Sequence, residues 1–290
     1  MLTFLSICLL SRLAYSLNDI FTGRLSRQYG RIEVAGLRGI SLGLTMSPLL
    51  FWVPRTAWIA LGERWPQLLL TVVLTAASNL LQNHAARLLP FGLRAAFITT
   101  STSIGGLLLG WLMLHERLSG AQVVLAAVLV ASAVVAALGQ HATHEIQPDV
   151  RLGAIVAVAA AALMVWIAVL VRDLSYTTHP FLTAWAWEFG SGAVLILPLL
   201  RGLLRTGLDG LFTRWGRILV ASSPTVVGSG ASMVALKLGN LGLWAAMGGT
   251  QVLLTAWFGS LWHRERMGFR RWLCFATAAA SVAGLAWFRT

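Results

Sequence analysis

Runs of about twenty apolar residues, each closed by a charge, a glycine or a proline, recur along nearly the whole chain. They predict helical spans near 3–22, 34–54, 67–87, 90–113, 119–139, 151–171, 180–200, 216–237, 240–262 and 269–288. At ~1.5 Å of rise per residue, about 20 residues cross a hydrocarbon core of ~30 Å. Helix is the expected form, because lipid-exposed backbone has to satisfy its hydrogen bonds within its own segment. The most polar linker, GQHATHEIQPDVR at 139–151, falls at the midpoint and divides five runs from five. The expected organisation is a first repeat over 1–143, a linker over 144–150 and a second repeat over 151–290.

The two halves echo one another. ARLLPFGLRAA at 86–96 matches LKLGNLGLWAA at 236–246, with Arg87 over Lys237 and Gly92 over Gly242. LRGISLGLTMSPLL at 37–50 matches WEFGSGAVLILPLL at 187–200, with Pro48 over Pro198. The offset is 150 in both regions and 149 at Gly110/Gly259 and Glu116/Glu265, so one single-residue gap aligns the halves. Parity then acts on the topology. A unit of five spans ends on the opposite side of the bilayer from where it began, so the second unit enters inverted. The fold expected is an all-α membrane protein of ten transmembrane helices in two inverted five-helix repeats. That architecture recurs in secondary transporters, whose halves rock about a site near the midplane. Duplication for stability alone is the alternative.

Composition narrows the class. The chain is 57% hydrophobic and 11% charged, whereas an ordinary soluble domain carries roughly 25% charged residues. The net charge of +12 is scattered singly between apolar runs, where basic residues set membrane orientation; it does not form a nucleic-acid surface. The first run, MLTFLSICLLSRLAYSL, has no basic leader or small-residue cleavage site and carries Arg12 in its middle, so it is expected to be a retained span and not a signal peptide. Cys8 and Cys274 lie in spans at opposite chain ends, which argues against a disulfide or a metal site. No metal-ligand pair, nucleophile elbow or phosphate-cradling loop is present; GSGAS at 228–232 lies within an oily span with no preceding strand. Neither an enzyme nor a cofactor is expected.

The twin endings GWLMLHERLSGAQV and GSLWHRERMGFRRW each combine a small-residue helix, a closing Glu and a following amphipathic start. With Arg38 entering the second span, ALKLGNLGLWAA before the ninth and THPFLTAW opening the seventh, the chain resembles the drug/metabolite transporter superfamily, in particular its ten-span EamA-type branch. The resemblance runs over essentially the whole chain. It implies transport of small metabolites, often amino acids or their relatives and commonly outward. The chain departs from the pattern at Arg264-Glu265-Arg266, where a Gly-Glu type of ending is usual, and at Asn240, where the first half has Pro90.

Polar side chains inside spans are costly and face a cavity or a partner. Asn79 and Asn83 share one face of the third span, with Gln82 and His84 beside them. Their donor-acceptor amides suit an ammonium-carboxylate or amide-bearing solute; interhelical hydrogen bonding is the bland alternative. Thr100 and Ser101 correspond to Thr250 and Gln251, of which Gln251 is the better solute contact. In the eighth span Ser222, Ser229, Ser232 and Met233 fall near one stripe, where Pro224, Gly228 and Gly230 could loosen the helix and allow a bend; small-residue packing alone is the alternative. Trp166 and Trp244 supply apolar walls or stack on a cation. Arg38 and Glu188 are equivalents at offset 150, so the pseudo-axis relates opposite charges; they pair across the bundle or snorkel separately. Arg12 and Asp19 lie seven apart on one face and could pair locally. Asp19 and Glu188 are the candidate proton carriers if transport is proton-coupled, with structural ion pairing as the alternative.

The leading expectation is a multi-pass protein of a bacterial inner membrane that exports small polar or amphipathic metabolites, amino acids among them, by alternating access. Its partners would be a small-molecule solute, the lipid bilayer and coupling protons. A lipid-headgroup flippase and a membrane-embedded enzyme are the alternatives; for the latter, His141, His144, Glu145 and Asp149 come nearest to a catalytic cluster.

Overall fold

The structure is a computed structural model that describes residues 1–89, 91–138, 149–199, 208–262 and 268–287. Among these residues every element is helical. Helix α1 spans Leu2–Gln28, α2 Arg31–Met46, α3 Arg55–Glu63, α4 Trp65–Leu88, α5 Phe91–Leu114 and α6 Gly120–Leu138. The second half holds α7 (Val150–Thr177), α8 (Pro180–Ile196), α9 (Leu208–Ser222), α10 (Pro224–Leu238), α11 (Leu241–Ala246), α12 (Gly248–Trp262) and α13 (Phe269–Trp287). Glu265 and linker residues 144–148 lie outside the described set.

Among the described residues four helical segments are long and apolar enough to cross a membrane: Leu2–Phe21, Ile32–Trp52, Arg94–Leu114 and Val150–Thr177. Phe212–Ser222 with Pro224–Leu238, bent by 45°, makes a fifth when the pair is counted as one span. The bend falls where Pro224 withholds an amide hydrogen and its ring crowds the preceding turn. Proline also closes α2 and α8, which tighten into 3-10 turns at Ser47–Trp52 and Leu197–Leu199, around Pro48 and Pro198. Two features have no counterpart in the apolar runs. Helix α3 occupies the stretch between the second and third of them and buries Ala57 and Leu61, one turn apart. The ninth run is broken at Met247, between α11 and α12, just before Gly248 and Gly249. Local starts are readable: Asp149 accepts the Leu152 amide at 3.1 Å to cap α7, and His179 caps α8 ahead of Pro180, accepting the Phe181 amide through Nδ1 at 3.3 Å.

The helices pack in swapped pairs. α1 lies on α10 as α7 lies on α4, while α2 meets α8, α5 meets α11, and α6 meets α13. This is the contact pattern of two repeats exchanged by a two-fold axis. Around the centre, Gly36 faces Ile196, Gly39 faces Gly192 and Gly43 faces Phe189, so α2 and α8 cross antiparallel, as an axis perpendicular to them requires. A Cβ on Gly39 would lie 2.5 Å from the Gly192 Cα and 2.7 Å from the Glu188 carbonyl oxygen. Backbone touches backbone here, which only glycine permits.

Candidate functional site

The α2–α8 crossing brings the two equivalent charges together. Arg38 and Glu188 form an ion pair at 3.6 Å, with Glu188 almost wholly buried. The other Glu188 oxygen accepts the Ser229 hydroxyl at 2.7 Å, and Ser229 lies 3.0 Å from the Tyr15 hydroxyl. Of the two arrangements open from sequence, the structure shows pairing across the bundle. An isolated charge at this depth costs several kcal/mol, so the partner and the serine are what make Glu188 tolerable here.

Beside this pair lies a cavity of about 160 Å³. α1 contributes Arg12, Tyr15, Asn18 and Asp19 to its wall; α4 contributes Thr75, Ser78, Asn79, Gln82 and Asn83; and α5 contributes Arg94. The second half adds Met164, Trp187, Glu188, Ser232, Met233, Trp244 and Gln251. A second chamber of about 90 Å³ shares Arg12, Asp19, Gln82, Arg94, Trp244 and Gln251 and extends to Thr99, Thr102 and Thr255. Both repeats therefore wall one polar space. Asp19 accepts from the Gln251 amide at 2.8 Å. Arg12 donates to the Trp244 carbonyl at 2.8 Å and stacks over the Trp244 ring, 4.6 Å from its centroid. Trp244 in turn donates its indole N–H to Ser232 at 3.0 Å. The Asn83 amide donates to the Asn79 carbonyl at 2.9 Å, and Gln82 donates to Ser78 at 3.2 Å. One face of α4 thus presents three amides to the space.

Eleven residues singled out from sequence border this cavity: Arg12, Asp19, Arg38, Asn79, Gln82, Asn83, Glu188, Ser232, Met233, Trp244 and Gln251. Trp166, His84, Thr100 and Ser101 line neither chamber. Trp166 is 45% exposed on the outer surface of the bundle. His84 turns away from the face of α4 that carries Asn79 and Asn83, because one residue is 100° of helical rotation. The same phase error separates Thr100 and Ser101 from Thr99 and Thr102, which do border the smaller chamber. The stripe Ala95, Ile98, Thr99, Thr102 has helical spacing and could have been read from sequence. Arg94, Tyr15, Asn18 and Trp187 were not singled out; an arginine within an apolar run was the available signal for Arg94. Arg12 and Asp19 take the different partners given above instead of a local pair.

The Glu that closes the first of the twin endings, Glu116, does not sit as a free charge at a helix end: its side chain is 7% exposed and folds inward. It is ion-paired with Arg172 and accepts the Leu241 and Gly242 amides at 2.8 and 3.3 Å, satisfying the first turn of α11. His115 reverses the chain with φ of 51°, and the Glu116 amide donates to the Gly110 carbonyl at 2.9 Å. A Cβ on Gly110 would come within 2.6 Å of the Glu116 carboxylate, so the glycine six residues upstream makes room for the cap.

A family description, the EamA-like transporter family, matches residues 2–138 and 151–287. Two copies thus account for nearly the whole chain, and the protein belongs to that family of membrane transporters of small solutes. No curated protein matches the chain. Among solved structures, one described as "Crystal structure of protein" superposes with a TM-score of 0.73 over 96% of both chains at 13% identity. That likeness shows the fold.

Proposed function

We propose that this chain is a ten-span secondary transporter whose two inverted five-helix repeats, 1–143 and 151–290, rock about the shared cavity to carry small metabolites by alternating access. Amino acids and related polar or amphipathic compounds are the substrate class, and export is the direction that the family resemblance implies. One observation carries the reading: five charged side chains and five amides, drawn from both repeats, wall a single space. Polar groups at such depth are costly and are kept where they meet a solute or ion. The space suits a metabolite; drug-sized ligand pockets run to ~300–1,000 Å³. The 45° break before Pro224 and the break at Met247 lie in segments that wall the cavity and supply points of bending. The sequence has no phosphate-cradling loop, so a gradient or downhill flux drives the cycle.

The test is counterflow of a labelled metabolite panel in vesicles reconstituted with the purified protein. Wild type is expected to exchange at least one member, and Gln251→Ala and Asn83→Ala to slow that exchange while folded protein stays abundant. Absence of flux for every member, or unchanged flux in both variants, would overturn the reading.

A further inference from the structure

The cavity's charges do not balance. Its wall holds three arginines, Arg12, Arg38 and Arg94, against two carboxylates, Asp19 and Glu188. Glu188 is taken by Arg38 at 3.6 Å, and Asp19 lies in the field of Arg94. Arg12 is the charge left over. It is 6% exposed, forms no ion pair with a described carboxylate, and spends one guanidinium nitrogen on the Trp244 carbonyl. Its Nε, buried at the boundary shared by the two chambers, meets no acceptor among the described residues. A stack on an indole ring stabilises a cation but does not neutralise it.

Further groups in the same walls can donate. Among the described residues the Thr102 hydroxyl, 8% exposed in the lining of the smaller chamber, meets no hydrogen-bond partner. The Trp187 indole N–H, in the lining of the larger one, meets none among them either. Buried donors left unpaired are expensive, and a guanidinium paired with a carboxylate through its N–H groups is among the stronger arrangements available. Arg12 Nε and the Trp187 indole only donate and the Thr102 hydroxyl can donate, so a ligand bearing acceptor oxygens complements them.

We infer that the cavity selects solutes bearing one net negative charge, and that Arg12 receives their carboxylate, with Thr102 as a supporting donor. The inference rests on the transporter reading and sharpens its substrate class from zwitterions toward organic monoanions, such as amino acids whose amine is acylated. Size points the same way: a chamber of about 90 Å³ accommodates a carboxylate group while the remainder of the solute occupies the larger space. A cationic solute would add a second uncompensated charge beside Arg12 and is expected to be disfavoured.

The experiment compares three forms of one amino acid in reconstituted vesicles: the N-acetylated monoanion, the free zwitterion and the amide cation. The monoanion is expected to inhibit or exchange with the lowest KM, by about tenfold or more over the zwitterion, the scale of one charge-assisted hydrogen bond. Thr102→Val, close in shape, should raise KM for the monoanion several-fold without changing the thermal melt. Arg12→Lys should retain the order of preference and Arg12→Gln should abolish it. A zwitterion or cation preferred by wild type, or an order unchanged in both Thr102→Val and folded Arg12→Gln protein, would overturn the inference while leaving the transporter reading standing. No flux of any of the three, or of any wider metabolite, would instead remove the transporter reading itself.

Discussion

The α2–α8 crossing gives a prediction whose size follows from geometry. In Gly39→Ala the added Cβ would sit 2.5 Å from the Gly192 Cα and 2.7 Å from both the Gly192 nitrogen and the Glu188 carbonyl oxygen. Carbon atoms in good contact stand ~3.5–4.0 Å apart, so the helices have to separate by about 1 Å. All three neighbours are backbone, and no rotamer change relieves them. Overpacking of this kind costs about 1–3 kcal/mol or more, partly offset by the better helix propensity of alanine, about 1 kcal/mol. A net loss of ~1–2 kcal/mol lowers the melting temperature by roughly 2–8 °C in a chain of this size. Gly216 is the control, since nothing stands within 4 Å of a Cβ built there; Gly216→Ala should be neutral or slightly stabilising. Melting can be followed with a thiol-reactive dye, because Cys8 and Cys274 are free and buried and label only on unfolding. Gly192→Ala, whose Cβ would meet the Ile40 nitrogen at 2.5 Å, should behave as Gly39→Ala does. If Gly39→Ala melted within a degree of the Gly216→Ala control, the close crossing would be refuted.

Three further perturbations probe the polar contacts. Glu116→Ala strips the α11 cap and strands the mostly buried Arg172, so a loss of about 3 kcal/mol is expected; the double variant with Arg172→Met should melt above Glu116→Ala, and simple additivity would contradict the pairing. Glu188→Gln leaves Arg38 without its counter-charge and should lower both the melt and flux, whereas the Arg38→Met, Glu188→Leu double variant should recover the melt but not flux. Asp19 borders both chambers and is the candidate proton carrier if transport is proton-coupled: Asp19→Asn should then lose accumulation driven by a pH gradient and keep downhill exchange, and persistence of that accumulation would clear Asp19 of the role.

The helices were legible because the spans are punctuated by charge, glycine and proline, and the repeat was legible because two offsets of 150 recur. Arg38 over Glu188 related two opposite charges at an offset of 150, and of the two arrangements this left open the structure shows the ion pair. What escaped was set by rotation and by folding back of loops. His84, Thr100 and Ser101 sit one helical step from the lining face, a difference that composition of a span does not encode. Arg12 is an oddity in an apolar run until Trp244, more than two hundred residues away, is brought beneath it. Glu116 reads as a membrane-surface charge because its true partners, Arg172 and the α11 amides, come from the other repeat. Helix α3 is too short to register in a search for spans.

The central claim is that the space between the repeats is where solute passes. Asn79 borders that space, and its side chain is partly accessible. The decisive measurement places a thiol there with Asn79→Cys, after Cys8→Ala and Cys274→Ala remove the native ones, and follows labelling by a small charged thiol reagent together with flux. The account predicts that labelling stops flux and that transported solute slows the labelling. Full labelling with undiminished flux, at a rate indifferent to solute, would contradict it.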